Sequence, residues 1–188
     1  GSGKTSVSKM LEKLGVHIID TDVIAHEIVE PNSDCLNELV DYFGDSILND
    51  DKTLNRKKLA SIAFSDKQKT EALSNITHKY IKAEVVKDIN TTDAELVGID
   101  GAVIIGSNVE PLCEFIVSVI ADKQSRITRI KTRDNITDEQ AIQRINAQND
   151  DEFYKENSMY IIYNNGDIAQ LESDVVGLFN KIKGNSFE

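Results

Sequence analysis

The chain has 188 residues, 40% of them apolar, and a formal net charge of −11 at pH 7. This length suits one α/β core with a small appended lobe and is too short for two large domains. The acidic balance and the absence of any apolar run near the roughly 20 residues that span a bilayer predict a soluble, cytoplasmic protein without nucleic-acid or membrane partners.

The chain opens with half of a phosphate-binding loop of the pattern G-x-x-x-x-G-K-[ST]. In that pattern Gly3 allows a tight turn whose N–H groups face an anion, Lys4 reaches the outer phosphates, and the Thr5 hydroxyl suits Mg²⁺. Apolar residues at helical spacing follow, so the loop should open an amphipathic helix. We therefore predict Thr5 as a metal ligand and the following residues as nucleotide-binding: Gly1, Ser2, Gly3, Lys4, Thr5 and Ser6.

The first glycine of the pattern and the strand that should feed the loop would both precede Gly1. We expect the first strand of the fold to be missing from this sequence, and a natural protein to extend upstream by roughly ten residues. A chain that truly began at Gly1 would lack half of the loop amides, and we expect its ATP binding to be severely impaired.

A short β-branched segment then ends in Asp20, Thr21 and Asp22. It predicts a buried parallel strand, and open α/β sheets bind ligands at the carboxyl ends of such strands. In an extended segment Asp20 and Asp22 would point the same way, toward the group that the loop holds. A carboxylate there could accept a hydroxyl proton or assist Mg²⁺, or it could simply cap the next helix.

A series of helices is predicted between this strand and the next one, over about residues 32–92. Such an excursion typically forms a separate lobe over the ligand cleft, and in kinases of small molecules it holds the acceptor. His78 in this lobe could touch a ligand or be an ordinary surface histidine. The helices are predicted at 22–30, 35–43, from about 56, and from a cap at Ser65 to about Asn90.

Further apolar, β-branched runs predict strands that alternate with helices up to a C-terminal helix opened by Asp167. This order predicts an α/β fold: a doubly wound parallel sheet of the P-loop NTPase type, with a helical substrate lobe and a helical lid, within a single domain over residues 1–188. The later strands are predicted at 96–100, 102–105, 115–120 and 159–163.

Residues 123–133 form a basic segment in an otherwise acidic chain, because five of the eleven are basic and none is acidic. Thr137 and Gln140 have capping-box spacing, so a second helix should begin there. With Arg129 and Arg133 one turn apart and isolated from acids, we favour a lid over about 123–150 that brings guanidinium groups onto a transferring phosphoryl group. The alternative is a solvated helix face.

Taken together, these motifs resemble the dephospho-coenzyme A kinase family over nearly the whole chain. No single match decides this, but all occur in order at familiar spacing. The matching segments are the loop at 1–6, the D-T-D to E-P stretch at 20–31, L-N-R at 54–56, N-I-T-H at 75–78, the lid residues 133–137 and 144–148, and N-N-G at 164–166.

The resemblance implies ATP-dependent phosphorylation of the ribose 3′-hydroxyl of dephospho-coenzyme A, with Mg²⁺ as the metal. It implies catalytic roles for Asp22, Lys4, Arg129 and Arg133. It also implies that the nucleotide contacts Arg144, Asn165 and Gly166, and that the acceptor contacts Asp20, Asp22, Arg56 and His78.

The sequence departs from the family pattern at Lys79, where the family usually has proline, at Tyr163, where it has aspartate, and over residues 102–107. Two alternatives stay open at this point. One is another small-molecule P-loop kinase of the nucleotide or nucleoside type, and the other is a non-catalytic nucleotide-binding module.

Overall fold

The computed structural model describes residues 1–185. Within this range, strands and helices follow one another as predicted except that no α-helix separates the second strand from the third. The four strands in this part of the chain are β1 (His17–Asp20), β2 (Val97–Asp100), β3 (Val117–Ile120) and β4 (Tyr160–Tyr163). The α-helices within it are α1 (Lys4–Lys13), α2 (Thr21–Glu27), α3 (Asp34–Phe43), α4 (Arg56–Ala63), α5 (Lys67–Thr91), α6 (Lys123–Asp134), α7 (Asp138–Asn146), α8 (Asp151–Glu156) and α9 (Ile168–Asn185).

The strands pair two by two, β1 with β2 and β3 with β4. The β3–β4 pair is parallel, with Val117 opposite Tyr160 and Ile120 opposite Tyr163. Parallel neighbours need a crossover connection, and here the connection carries three helices, α6, α7 and α8. Of these, the short α8 was not predicted from the sequence.

The chain folds as two compact units. The first comprises residues 1–18, 94–98 and the chain from 113 onward. Its main core lies where α1 and β4 pack against α9. The buried residues of this core are Val7, Ile162, Leu171, Val175, Leu178 and Ile182.

A smaller cluster in the same unit joins α6 to α7 and consists of Ile127, Ile130, Ala141 and Ile145. The predicted start of α7 is confirmed. The Thr137 side chain accepts from the Gln140 amide, and the Gln140 side chain accepts from the Thr137 amide, so a complete capping box fixes the turn between the two helices.

The second unit comprises residues 19–93 and 99–112, and in it α5 packs against α2, α3 and α4. Leu39 and Val85 are fully buried between these helices. The 25-residue α5 begins after Asp66, whose side chain accepts from the Lys69 amide at 2.9 Å, so the prediction of Ser65 as its cap was wrong by one residue. Neither α5 nor any other helix within residues 1–185 is long and apolar enough to cross a membrane.

The predicted strand at 102–105 is absent, because this segment is irregular. Val103 is 72% exposed, whereas a central strand would bury it. The chain turns instead: the Ser107 amide donates to the carbonyl of Ile104 at 2.9 Å, and Gly106 has a positive φ of 79°. The Gly106 amide donates to the Glu110 carboxylate at 2.5 Å, so turn bonds replace the ladder bonds that a strand would make.

Candidate functional site

The half loop lies at the N-terminus of α1, as its sequence predicted. Gly3 caps the helix with φ 101° and ψ 16°, a left-handed conformation that favours glycine. Its carbonyl accepts the amides of Ser6 and Val7 at 2.9 and 3.1 Å. No acidic residue lies in the first turn, which carries Lys4 and the exposed Thr5. The positive end of the helix macrodipole and the Lys4 ammonium therefore favour an anion at this point.

The residues before Gly3 pack directly against α6. A Cβ placed on Gly1 would lie 2.9 Å from the Ile130 side chain and 3.0 Å from the carbonyl oxygen of Arg126. Any larger residue at this position would force the Ile130 side chain to shift. Helix α6 thus forms one wall of the loop, a contact that no local sequence pattern predicts.

Arg129 points from α6 to the backbone of the loop and to the end of β4. Its guanidinium donates to the Ser2 carbonyl at 3.4 Å and to the Asn164 carbonyl at 3.0 Å. The Asn164 side chain donates to the same Ser2 carbonyl at 2.7 Å and is only 8% exposed. Asn164 was not among the predicted site residues, although the N-N-G turn that contains it was recognised.

Arg133 and Arg144, predicted on two different lid helices, converge on one carboxylate. Arg133 binds Asp134 through both ends of its fork, at 2.7 and 3.0 Å, and Arg144 contacts the Asp134 Oδ2 atom. The Arg133 guanidinium, with a smaller contribution from Arg144, holds the pKa of Asp134 below its usual value. The prediction that this basic stretch is isolated from acids was therefore wrong for Arg133.

The turn after β4 is tied to the start of α6. The Asn165 side-chain oxygen accepts the Asp122 amide at 2.8 Å, and Asp122 in turn caps α6 by accepting the Ser125 amide at 2.8 Å. Bonds from the Ser125 hydroxyl and amide lower the pKa of Asp122. Gly166 follows in the exposed part of this turn. The predicted nucleotide residues of the N-N-G turn thus lie in the same unit as the loop.

Asp20 and Asp22 occupy the junction of β1 and α2 in the second unit. Asp20 is the N-cap of α2, and its carboxylate accepts the amides of Asp22 and Val23 at 2.8 and 3.1 Å. Asp22 lies in the first helical turn with its side chain exposed. The expectation that the two carboxylates point the same way from an extended segment was wrong, because the helix begins at Thr21.

The remaining predicted acceptor residues, Arg56 and His78, also lie in the second unit. Arg56 is the exposed first residue of α4, whose N-cap is Asn55. His78 is half-buried on α5, with its Nδ1 atom 3.4 Å from the Ser74 hydroxyl. The backbone carbonyl of His78 accepts the Asn108 side chain at 2.8 Å, which links α5 to the irregular segment after β2.

Comparisons with known proteins agree on one family. A family model for dephospho-CoA kinase matches residues 1–170. The dephospho-CoA kinase of Listeria monocytogenes is 34% identical over 187 residues, which cover 98% of this chain and 94% of that protein. The dephospho-CoA kinase of Lactobacillus johnsonii is 33% identical over 184 residues, covering 96% and 93% of the two chains.

Solved structures confirm the predicted α/β fold of the P-loop NTPase type. A crystal structure from Thermus thermophilus superposes with a TM-score of 0.82 at 23% identity, covering 96% of this chain and 92% of the other. The dephospho-CoA kinase from Campylobacter jejuni superposes with a TM-score of 0.69 at 28% identity, covering 97% and 93%. On the evidence of the family model and of relatives more than 30% identical over nearly their whole length, this chain belongs to the dephospho-CoA kinase family.

Proposed function

We propose that the protein transfers the γ-phosphoryl group of ATP to the ribose 3′-hydroxyl of dephospho-coenzyme A, giving coenzyme A and ADP. Membership of the dephospho-CoA kinase family supports this substrate pair. The structural observation that carries the proposal is the Gly3 turn at the acid-free N-terminus of α1, followed at once by Lys4 and Thr5. A cytoplasmic location and the absence of nucleic-acid and membrane partners stay predictions.

In this mechanism the loop holds the phosphates of ATP. Amides in and after the Gly1–Ser6 loop donate to phosphate oxygens, and Lys4 neutralises charge on the outer phosphates. Arg133 and Arg144 supply further positive charge from α6 and α7. Phosphoryl transfer depends on positioning and charge neutralisation rather than on covalent chemistry by the protein, so a cluster of this kind is suited to it.

Mg²⁺ fits the donor set of the loop. Thr5 presents an exposed hydroxyl in the first turn of α1, next to the proposed phosphate site. Within residues 1–185 no group of three or more His, Cys, Asp or Glu side chains could hold a metal by itself. That pattern suits an ion bound mainly through substrate phosphates and water. When bound, Mg²⁺ would neutralise charge on the phosphates.

The acceptor side of the reaction is proposed for the second unit. Asp22 would accept or orient the proton of the attacking hydroxyl, because its side chain is exposed in the first turn of α2. Asp20 fixes the first turn of α2 and so orients Asp22 through its cap. We assign Arg56 and His78, in a helical lobe over about residues 32–92, to binding the remainder of dephospho-coenzyme A.

The nucleotide side includes a lid over about residues 123–150 and the turn after β4. Asn165 and Gly166 are proposed to lie beside the adenine. The bond from the Asp122 amide to Asn165 supports this, because it fixes the turn against the start of α6.

A coupled assay of ADP release tests the reaction. The full-length protein should turn over dephospho-coenzyme A with ATP and Mg²⁺, and should leave nucleoside monophosphates unphosphorylated. Turnover of a nucleoside monophosphate, with none of dephospho-coenzyme A, would point to a different small-molecule kinase. ADP and ATP binding without any turnover would indicate a non-catalytic module.

Asp22→Asn tests the proposed base, with Asp34→Asn as its matched control. Both residues are exposed acids in the first turn of a helix, so both substitutions remove a similar, small helix-dipole contribution of about 0.5 kcal/mol. Only Asp22→Asn should lower kcat, by about 10²-fold or more. Equal activity in the two variants would exclude Asp22 as the proton acceptor. Lys4→Ala should lower turnover by orders of magnitude as well.

A further inference from the structure

We propose that Arg129 and Asn164 form a clamp that fixes the conformation of the phosphate loop, and that Arg129 acts on nucleotide binding through the loop rather than by touching the transferring phosphoryl group. The inference deepens the proposed function, on which it rests for the identity of the nucleotide. It assigns a role to Asn164, which the family motifs alone did not single out, and it changes the role first expected for Arg129.

The clamp converges on one backbone atom. The Ser2 carbonyl oxygen accepts from Asn164 Nδ2 at 2.7 Å and from Arg129 Nη1 at 3.4 Å. The two clamp residues are joined to each other, because Arg129 Nη2 lies 3.0 Å from the Asn164 carbonyl oxygen and 3.4 Å from its side-chain oxygen. The loop carbonyl, the end of β4 and helix α6 are thus held together by four contacts.

These contacts determine which way the loop presents its amides. A peptide group is planar, so fixing the Ser2 carbonyl oxygen also fixes the direction of the Gly3 N–H. Gly3 then adopts its left-handed conformation, and its carbonyl accepts the amides of Ser6 and Val7. An anion cradle needs its N–H groups directed at one point. The clamp supplies that order before the nucleotide arrives.

Burial supports a permanent clamp. Asn164 is 8% exposed, and a buried amide must find partners for its polar atoms inside the protein. Both ends of its side chain do so, Nδ2 on Ser2 and Oδ1 on Arg129. Releasing Arg129 toward a phosphate would leave the Asn164 carbonyl and side-chain oxygens without these bonds. By contrast, Arg133 and Arg144 are exposed, and their guanidinium groups contact Asp134 rather than the loop.

The test measures ADP affinity, because ADP binding requires the loop but no phosphoryl transfer. Calorimetry on the full-length protein would compare Asn164→Ala, Arg129→Lys, the double variant and wild type. Thr128→Ala is the control, since the exposed Thr128 hydroxyl donates within its own helix, to the Gln124 carbonyl. Each clamp variant should bind ADP about tenfold more weakly, the loss expected for one well-placed hydrogen bond. The double variant should be little worse than either single one.

Steady-state kinetics give a second readout. Substitution of a clamp residue should raise KM for ATP much more than it lowers kcat. Amide hydrogen exchange across the loop should also be faster in the nucleotide-free variants than in the nucleotide-free wild type. If Arg129→Lys instead lowers kcat with ADP affinity unchanged, Arg129 touches the transferring group and the proposal is wrong. Multiplicative losses in the double variant would also overturn it, because they would mean two independent contacts.

Two further results would be distinguished from a failure of the clamp proposal: a variant that does not fold, and a protein that lacks the proposed activity. If Asn164→Ala fails to fold, Asn164→Leu keeps nearly the size of the side chain and removes the Nδ2 donor without adding charge, and it should show the same loss of ADP affinity. If the wild-type protein binds ADP but phosphorylates no dephospho-coenzyme A, the proposed function fails while the clamp variants still decide the present inference.

Discussion

Lys79 of α5 lies against Glu38 of α3, with its Nζ atom 2.5 Å from Oε2 of the carboxylate. The Tyr80 hydroxyl donates to the same oxygen at 2.7 Å. The dephospho-coenzyme A kinase pattern usually has proline at the position of Lys79, and proline could make neither this contact nor the backbone hydrogen bond of a helix interior. In this chain the departure allows α5 to continue unbroken and ties it to α3.

Glu38→Gln should therefore change the pH dependence of stability. Bonds from Lys79 and Tyr80 hold the pKa of Glu38 below its usual value, so the folded state keeps the carboxylate charged to lower pH than the unfolded state does. Its contribution is present above the unfolded pKa of about 4.3 and is lost as the pH falls toward the folded value. The difference in the free energy of unfolding between wild type and Glu38→Gln should be largest near neutral pH and shrink below about pH 4.

Urea denaturation at several pH values measures this difference, with Glu71→Gln as the control. Glu71 faces Lys67 on the same α5 at 3.7 Å, but both side chains are well exposed, so the control should change stability little at any pH. A Glu38→Gln difference that stays constant between pH 7 and pH 3 would show that Glu38 has an ordinary pKa in the folded protein.

Cys35, a residue of α3 that is only 1% exposed, should resist alkylation in the folded protein. Burial, followed by the negative charge of Glu38, raises the pKa of the Cys35 thiol to about 11. At pH 8 only about one thiol in a thousand would then be ionised, and the thiolate is the reactive form. In a Cys113→Ser variant, iodoacetamide labelling followed by mass spectrometry should be negligible without urea and complete in unfolding urea. Rapid labelling under native conditions would contradict the buried position.

The elements that the sequence predicted well are those with a local signal. The Gly3-Lys4 turn, the Thr137 capping box and the start of α2 after an aspartate depend on residues within three or four positions of one another. Strands β1 to β4 were predicted for the same reason, because each lies in a short run rich in β-branched residues. The strand predicted at 102–105 was wrong because β-branched residues in an exposed turn give the same sequence pattern as those in a buried strand. Only the hydrogen bonds made by Ser107 and Gly106 show that this segment is a turn.

The site contacts that were missed join positions far apart in the chain. Asn164 and Ser2 are 162 residues apart, and Arg129 is 127 residues from Ser2. No spacing rule relates such positions, so only the packing of α6 and β4 on the loop could reveal them. The partner of Arg133 was missed for a different reason: Asp134 lies just beyond the basic stretch as it was delimited.

Arg126, the buried arginine of α6, should stabilise the connection between α7 and α8. It is 9% exposed, and its two terminal nitrogens lie 2.8 Å from Gln148 Oε1 and 3.5 Å from Asp151 Oδ1. Arg126→Ala removes both contacts and the packing of the stem, and should lower the free energy of unfolding by about 2 kcal/mol. Arg126→Met keeps most of the stem and removes a buried Nε that has no hydrogen-bond partner among residues 1–185, so it should cost less. Urea denaturation would rank the two variants, and equal losses would mean that the guanidinium rather than its stem carries the effect.

Gly3→Ala should weaken nucleotide binding, whereas the same substitution at Gly15, a glycine with a similar backbone conformation, should not. Gly3 and Gly15 have similar positive φ values, 101° and 93°, so alanine at either position should cost about 1 kcal/mol of stability through backbone strain. A Cβ on Gly15 meets nothing within 4 Å, whereas a Cβ on Gly3 would lie 2.1 Å from Asn164 Nδ2. Only Gly3→Ala must therefore displace the Asn164 side chain from the Ser2 carbonyl. Calorimetric titration with ADP should show weaker binding for Gly3→Ala and unchanged binding for Gly15→Ala. Equal ADP affinities in the two variants would mean that the position of Asn164 has no influence on the loop.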